Sequence, residues 1–307
     1  MIRRLRYHEI DFSKYAQCLE NSEQIKYSAS KIYLDVTSKK RWDLLIYNDY
    51  EAVMPLPYVR KYGIKIVLNP MLCQQLGVFS KQDNVILNEA FLDFLKKNYL
   101  VRVYHFNDHN QFQSPIEYKK NFIIYPDSYD NVYAKYSPKR KRKLRLDENV
   151  LGNSEIKIIS FDEAKPFIES NMTGLAKQED VHGFIRIYKR FYDLKSLTFC
   201  AFYYQNQIIN LIAVYSDYKT LALLGTFNEK KYVKISGSSA LINDMIKKNI
   251  ETAAFDFEGS EVPSIDEFFR GFRPELKTYP YVRSSIKTLA KELIIFIVKR
   301  RIQNLLI

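Results

Sequence analysis

Apolar residues recur along the chain in two series that predict the same order of elements. In each series, three short apolar runs are separated by turn-forming residues, which indicates three consecutive antiparallel strands. A helical pattern and one further strand follow each set. The runs are WDLLIY, EAVMPLPY and IKIVLN in the first series and FCAFYY, IINLIAVY and TLALLGTF in the second.

The two series align without gaps at a constant spacing over their best part. The matched positions lie 151 residues apart: 94–98 with 245–249, Tyr104 with Phe255, and Phe106 with Phe257. Agreement in helix end, strand phase and preceding strands favours an internal duplication. We therefore predict an N-terminal domain at 1–126, a basic helical connection at 127–152 and a C-terminal domain at 153–307.

The predicted connection contains six basic residues in seven positions, 139–145. Ser137 and Pro138 stand directly before this run and are suited to cap and begin a helix. One interpretation is a solvent-exposed helix face. The other is a binding surface for phosphate or carboxylate groups.

A possible anion site precedes the helix of the second repeat. Gly237, Ser238 and Ser239 stand before apolar residues at helical spacing, so they predict a helix whose first backbone N–H groups could face a ligand. Lys234 lies just upstream and could neutralise phosphate groups. The first repeat lacks this Gly-Ser-Ser sequence.

The strand that follows this helix carries two acidic residues. Alternation over 253–258 places Asp256 and Glu258 on one side of the strand, where the first repeat has His105 and Asn107. Glu258 is the candidate catalytic base, and Asp256 could orient it or bind an acceptor amine. The alternative is an acidic strand end that caps the next helix. Tyr281, on a later strand, could protonate a leaving group or could simply pack.

Two motifs carry a family resemblance: FDFEGS at 255–260 and FFRGF at 268–272. With the preceding helix, they resemble the C-terminal half of a GNAT domain and the tandem-GNAT proteins of the FemAB type. The resemblance implies an α/β (α+β) fold with two GNAT-like domains in tandem, each a mixed, mainly antiparallel sheet flanked by helices. It also implies an acceptor side in the first domain and a donor side in the second, with acyl-CoA, acetyl-CoA included, lying against Gly237, Ser238 and Ser239.

Three functions stay open at this point. The first is an N-acyltransferase that moves an acyl group from acyl-CoA to an amine of a small molecule, a sugar or a cell-envelope precursor. The second is a FemAB-type peptidyltransferase that uses aminoacyl-tRNA, which the basic helix and the formal net charge of +12 favour. The third is an inactive GNAT-like binding protein, because only the central glycine of the family's donor-loop pattern is kept, as Gly237.

Composition removes several other classes. Hydrophobic residues make up 47% of the 307 residues, which excludes a disordered chain. The three cysteines, Cys18, Cys73 and Cys200, are widely separated, so neither a disulfide framework nor a metal site is predicted. No run of about 18 apolar residues occurs, and we expect a cytoplasmic protein.

The C-terminal segment 284–307 predicts an amphipathic helix. Its apolar stretch, 293–298, is followed by Lys299, Arg300 and Arg301. Such a helix could pack on the second domain or on another subunit. It could also lie on an anionic membrane and make the protein membrane-peripheral. The sequence does not decide the oligomeric state.

Overall fold

The computed structural model describes residues 1–61, 63–172, 178–217, 219–285 and 287–289, which contain both predicted sets of strands. The strands are β1 (Ile2–Leu5), β2 (Trp42–Tyr47), β3 (Ala52–Lys61), β4 (Ile64–Leu68), β5 (Phe79–Ser80), β6 (Leu100–His105), β7 (Glu117–Ile124), β8 (Ser154–Ile159), β9 (Leu197–Tyr204), β10 (Gln207–Ser216), β11 (Thr220–Asn228), β12 (Ala254–Asp256) and β13 (Glu275–Arg283). The α-helices are α1 (Phe12–Glu20), α2 (Lys31–Ser38), α3 (Val85–Asn98), α4 (Tyr129–Lys135), α5 (Pro138–Leu144), α6 (Glu148–Gly152), α7 (Phe161–Asn171), α8 (Gln178–Asp193), α9 (Gly237–Asn249) and α10 (Pro263–Arg270).

The chain divides into two compact units. Unit 1 contains residues 1–119 and the described residues from 278 onward, and unit 2 contains residues 120–277. The division therefore follows packing, whereas the predicted boundaries at 126 and 153 follow the repeat in the sequence. Those boundaries stay a prediction about where each copy begins.

Unit 1 is built on a mixed sheet in the order β1-β2-β3-β4-β6-β13, with the short β5 also paired to β3. Its strand pairs are antiparallel except for β4 with β6, which is parallel. Trp42 is fully buried, and its ring lies 5.5–5.9 Å from those of Tyr7, Phe12 and Tyr15. Its indole N–H donates to Asp35, 3.0 Å away, so the single tryptophan is a core residue whose polar atom is satisfied.

Unit 2 repeats this plan with the order β8-β9-β10-β11-β12-β7. Here β11 and β12 form the parallel pair, and the other pairs are antiparallel. Helix α9 buries Leu241, Ile242 and Ile246 in the same core as Ile212 of β10 and Phe255 of β12. Each such side chain contributes about 1.5–3 kcal/mol on burial, so this face holds α9 on the sheet.

Each unit takes its last strand from the other half of the sequence. In unit 1, the N–H of Phe106, just after β6, donates to the Pro280 carbonyl of β13 at 2.8 Å. In unit 2, the N–H of Phe257, just after β12, donates to the Phe122 carbonyl of β7 at 2.9 Å. The two copies of the module therefore exchange equivalent strands.

The helices before these strands confirm the predicted duplication. Helix α3 ends at Asn98 and helix α9 at Asn249. The Asn98 amide donates to the Phe94 carbonyl and the Asn249 amide to the Met245 carbonyl, each at 2.8 Å. Equal geometry at positions 151 residues apart shows that both copies keep the same helix-strand unit.

The predicted C-terminal amphipathic helix is largely untested. Its apolar stretch at 293–298 and the basic residues after it lie outside the described residues. Within the part of the chain that is described, no helix has both the length and the apolar character needed to cross a membrane. The same residues contain no group of three or more His, Cys, Asp or Glu side chains that could hold a metal ion.

Candidate functional site

Helix α9 begins at Gly237, as the sequence predicts. Ser236 before it has a left-handed backbone (φ 66°, ψ 25°), and its side chain makes no capping hydrogen bond. Gly237, Ser238 and Ser239 are all buried. The predicted donor-binding turn is therefore covered by side chains of unit 2.

Two asparagines, Asn210 and Asn228, pack over the start of α9. Asn210 of β10 donates to Ser238 Oγ at 3.2 Å and to Asn228 Oδ1 of β11 at 2.7 Å, and the Ser238 hydroxyl also donates to Asn228. A Cβ added to Gly237 would lie 2.0 Å from Asn210 Oδ1. Glycine is required here because the polar cluster approaches the backbone so closely.

Arg140 also packs over the first turn of α9. Ser137 caps α5 by accepting from the Arg140 N–H at 3.1 Å, and Pro138 takes the first helical position. The Arg140 side chain turns inward, where its guanidinium donates to Ser239 Oγ and, at 2.6 Å, to the Phe268 carbonyl. The guanidinium carbon also lies 4.2 Å from the ring centres of Phe268 and Phe272. Arg140 thus joins α5 to the first turn of α9 and to the end of α10.

The electrostatic environment of Arg140 is unusual. Only 5% of the residue is exposed, and burial lowers the pKa of its guanidinium to about 10. The group still carries its charge at neutral pH. Among the described residues it forms no ion pair with a carboxylate, and its Nε–H has no hydrogen-bond partner. A buried positive charge is therefore held by a hydroxyl, a carbonyl and two aromatic rings.

Arg140 also lines a cavity of ≈ 390 Å³ between α5 and α10, which we call the basic cleft. Five of its ten lining residues are basic, and Glu267 is the one acidic residue among them. The basic residues are Lys139, Arg140, Lys143, Arg270 and Arg273, and the others are Ser137, Ser264, Glu267, Phe268 and Gly271. This cleft is suited to bind an anion.

The strand expected to carry both acidic residues, β12, is shorter than the alternation over 253–258 predicted. Strand β12 ends at Asp256, because Glu258 (φ 59°) and Gly259 (φ 58°) both adopt the left-handed conformation. Asp256 is 4% exposed and accepts hydrogen bonds from the Glu258 N–H at 2.8 Å and from the Asn121 amide at 3.2 Å. Asp256 therefore closes the turn, and Glu258 is the more accessible carboxylate.

Tyr281 and Lys234 lie in different surroundings. Tyr281 belongs to unit 1, whereas Asp256, Glu258 and the start of α9 belong to unit 2. The Tyr281 hydroxyl donates to Glu117 and thereby lowers the pKa of that carboxyl. Both residues line a unit 1 cavity of ≈ 430 Å³. Lys234 is exposed on the 3-10 helix Lys230–Ile235, just before α9.

Arg140 and Asn210 were not singled out from the sequence. A signal for Arg140 does exist, because Arg140 and the apolar Leu144 lie four residues apart in α5. One turn of helix brings such residues onto the same face. Leu144 is half-buried and Arg140 buried, so Arg140 lies on the inward face of the basic run. Asn210 sits inside an apolar strand and gives no comparable signal.

Several solved structures resemble this fold. FemX superposes with a TM-score of 0.61 at 9% identity, covering 91% of this chain and 96% of that chain. This chain shares the fold of FemX. A protein of unknown function from Bacteroides thetaiotaomicron matches with a TM-score of 0.52 at 10% identity, covering 92% and 100% of the two chains. L-PGS from Bacillus licheniformis matches with a TM-score of 0.50 at 13% identity, covering 94% and 96%.

These likenesses confirm the predicted fold, a tandem pair of GNAT-like domains of the FemAB type. At such low identities they establish the fold alone. No family model matches the sequence, and no curated protein sequence matches it significantly. The residues of the site must therefore be judged from their own geometry.

Proposed function

We propose that this protein transfers an acyl group to an amine and that unit 2 holds the acyl donor. The observation that carries the proposal is the FemX fold, which spans 91% of this chain and 96% of FemX. The charge of the basic cleft supports it, because both donors that the sequence suggested carry phosphate groups.

Between those donors, the geometry of unit 2 favours aminoacyl-tRNA over acyl-CoA. The turn at Gly237 to Ser239, where acyl-CoA phosphates were expected, is buried under Arg140 and Asn210. The basic cleft is instead an open cavity lined by five cations, which suits a polyanion such as tRNA. Acyl-CoA stays the second candidate, and its phosphates would have to displace Arg140 from Ser239.

The chemistry assigned to the site is aminolysis of an ester. The acceptor amine attacks the carbonyl of the aminoacyl ester, an amide bond forms, and the tRNA hydroxyl leaves with a proton. Glu258 is the proposed base for the amine proton, directly or through water, because Asp256 is already committed to the turn. Positioning of the two substrates supplies much of the acceleration.

The proposed acceptor is an amine of a cell-envelope precursor, as the FemAB resemblance implies. A small molecule or a sugar amine is the alternative. With charged tRNA as donor, the proposed location is the cytoplasm, and the C-terminal segment is proposed to touch an anionic membrane when the precursor is lipid-linked.

The test compares two donors against one set of amine acceptors. Full-length protein is incubated with tRNA charged with radiolabelled amino acids or with radiolabelled acyl-CoA, and label in peptide-bearing precursors, amino sugars and small amines is measured. We expect protein-dependent transfer from charged tRNA. Transfer from acyl-CoA alone would reverse the choice of donor. Absence of transfer from both, with donor binding intact, would support the inactive binding protein.

A further inference from the structure

We infer that the basic cleft of unit 2 is a binding site for a phosphate group, with Arg140 as its buried cation. The site itself follows from contacts within unit 2. Only the identity of the molecule that bears the phosphate, the acyl donor, rests on the proposed function.

The first argument is the uncompensated charge. Removing a guanidinium from water is costly unless an opposite charge or a full set of hydrogen bonds replaces the solvent. Arg140 is 5% exposed and has no carboxylate partner among the described residues. Its two aromatic contacts and two hydrogen bonds offset part of this cost. A bound anion would supply the missing charge.

The second argument is a buried donor without a partner, on a residue that lines the cleft. Arg140 Nε–H has no partner, although the residue lines the cleft. A Cβ on Gly271 would lie 3.0 Å from both Nε and Nη2 of Arg140. Gly271 has ordinary helical torsions (φ −60°, ψ −29°), so the backbone does not require glycine there. A side chain at position 271 would instead crowd Nε and Nη2 of Arg140.

The third argument concerns the rim of the cleft. Lys139 pairs with Glu267 and Arg270 with Asp266, in contacts where both basic side chains are exposed and the pairing is weak. Lys143 and Arg273 form no ion pair within the described residues. One buried and four peripheral cations match the phosphate groups of a nucleotide or a polynucleotide better than a single carboxylate.

The experiment observes the Arg140 Nε–H directly. Full-length protein with ¹⁵N-labelled arginine is titrated with inorganic phosphate at constant ionic strength and pH, and the Nε–H resonances are followed by NMR. Arg140→Lys assigns the resonance, because lysine keeps the charge but has no Nε–H group. CoA and a short RNA hairpin are then added as competitors to distinguish the sources of the phosphate.

Two variants test the site without removing Arg140. Gly271→Ala should crowd the guanidinium and weaken phosphate binding by about tenfold or more, the loss expected for a hydrogen bond to a charged group. Lys143→Gln should weaken it by about two- to fivefold, as for an exposed charge. Arg142→Gln is the matched control, because Arg142 is equally exposed on α5 but does not line the cleft.

The site is supported by a saturable shift of the Arg140 Nε–H resonance in the wild-type protein. It also requires that phosphate affinity falls most in Gly271→Ala, less in Lys143→Gln and least in Arg142→Gln. The inference is overturned if phosphate causes no saturable shift, or if Lys143→Gln and Arg142→Gln weaken binding equally. Both outcomes are independent of the transfer assay. A phosphate site in a protein that transfers no acyl group would contradict the proposed function but not the site.

Discussion

The two copies of the module differ most at the first turn of their equivalent helices. Helix α3 is capped by its own sequence, since Asn84 accepts from the Leu87 N–H at 3.0 Å. Helix α9 has no side-chain cap at Ser236, and its first turn is covered by Arg140 and Asn210 instead. Both copies keep the same helix and strand, but among the described residues only in unit 2 does a buried cation, Arg140, contact the first turn of the helix. The difference favours unit 2 as the location of the proposed anion site.

The turns after the equivalent strands differ in a related way. In unit 1, the fully buried Asn107 closes the turn by accepting from the His109 and Asn110 N–H groups at 3.0 and 3.1 Å. In unit 2, Asp256 closes it by accepting from Glu258. The closing side chain therefore lies two residues earlier in unit 2, and Glu258, at the position of Asn107, donates its backbone N–H to that side chain. This comparison favours Glu258 over Asp256 as the base.

The largest effect is expected at Glu258. Glu258→Gln should lower turnover by about 10²- to 10⁴-fold, because it removes a base while keeping the shape of the side chain. Donor affinity should be largely preserved. Steady-state rates and donor binding are measured beside Glu251→Gln, an exposed carboxylate before the same strand. A wild-type rate across pH in Glu258→Gln would exclude Glu258 as the base.

A smaller effect on stability is expected at the start of α9. Gly237→Ala should lower the free energy of unfolding by about 1–3 kcal/mol, because the new Cβ meets Asn210 and Phe202. The aligned position in α3 is Ile86, which is 76% exposed, so Ile86→Ala should change stability by less than about 0.5 kcal/mol. Urea unfolding of both variants gives the comparison. Equal losses would show that the two helix starts are packed alike.

The caps themselves offer a finer test. Asn84→Ala should cost about 1 kcal/mol, since it removes the capping acceptor of α3. Ser236→Ala should cost less than about 0.5 kcal/mol, because Ser236 makes no capping hydrogen bond. Both are measured by urea unfolding. A larger loss in Ser236→Ala than in Asn84→Ala would contradict the proposed difference between the copies.

The smallest effect is expected in unit 1. Tyr281→Phe removes the hydrogen bond that lowers the pKa of Glu117, so this pKa should rise toward its ordinary value. NMR titration of the Glu117 carboxyl measures the change. Turnover should fall by less than about tenfold if the Tyr281 hydroxyl serves only to hold the Glu117 side chain in the unit 1 cavity. A loss of about 10²-fold or more would restore Tyr281 as the predicted proton donor.

Much of the framework was predictable because it follows from local patterns. Alternation, turn residues and apolar spacing predicted both sets of strands and the helix beginning at Gly237. The spacing of 151 residues predicted the duplication, and Ser137 with Pro138 predicted the start of α5. These features depend on interactions between residues close in sequence, such as caps and helical hydrogen bonds.

The site depended on contacts between residues far apart in the chain. Arg140 reaches Ser239 and Phe268, 99 and 128 residues away. Its spacing from Leu144 indicates a shared helix face but not which distant groups will bury the cation. The exchange of β7 and β13 is likewise invisible in sequence, because any strand offers the same backbone groups to several partners. The sequence by itself determined the repeated elements and their order. Tertiary packing decided which basic residue became the buried cation and which carboxylate closes the turn after β12.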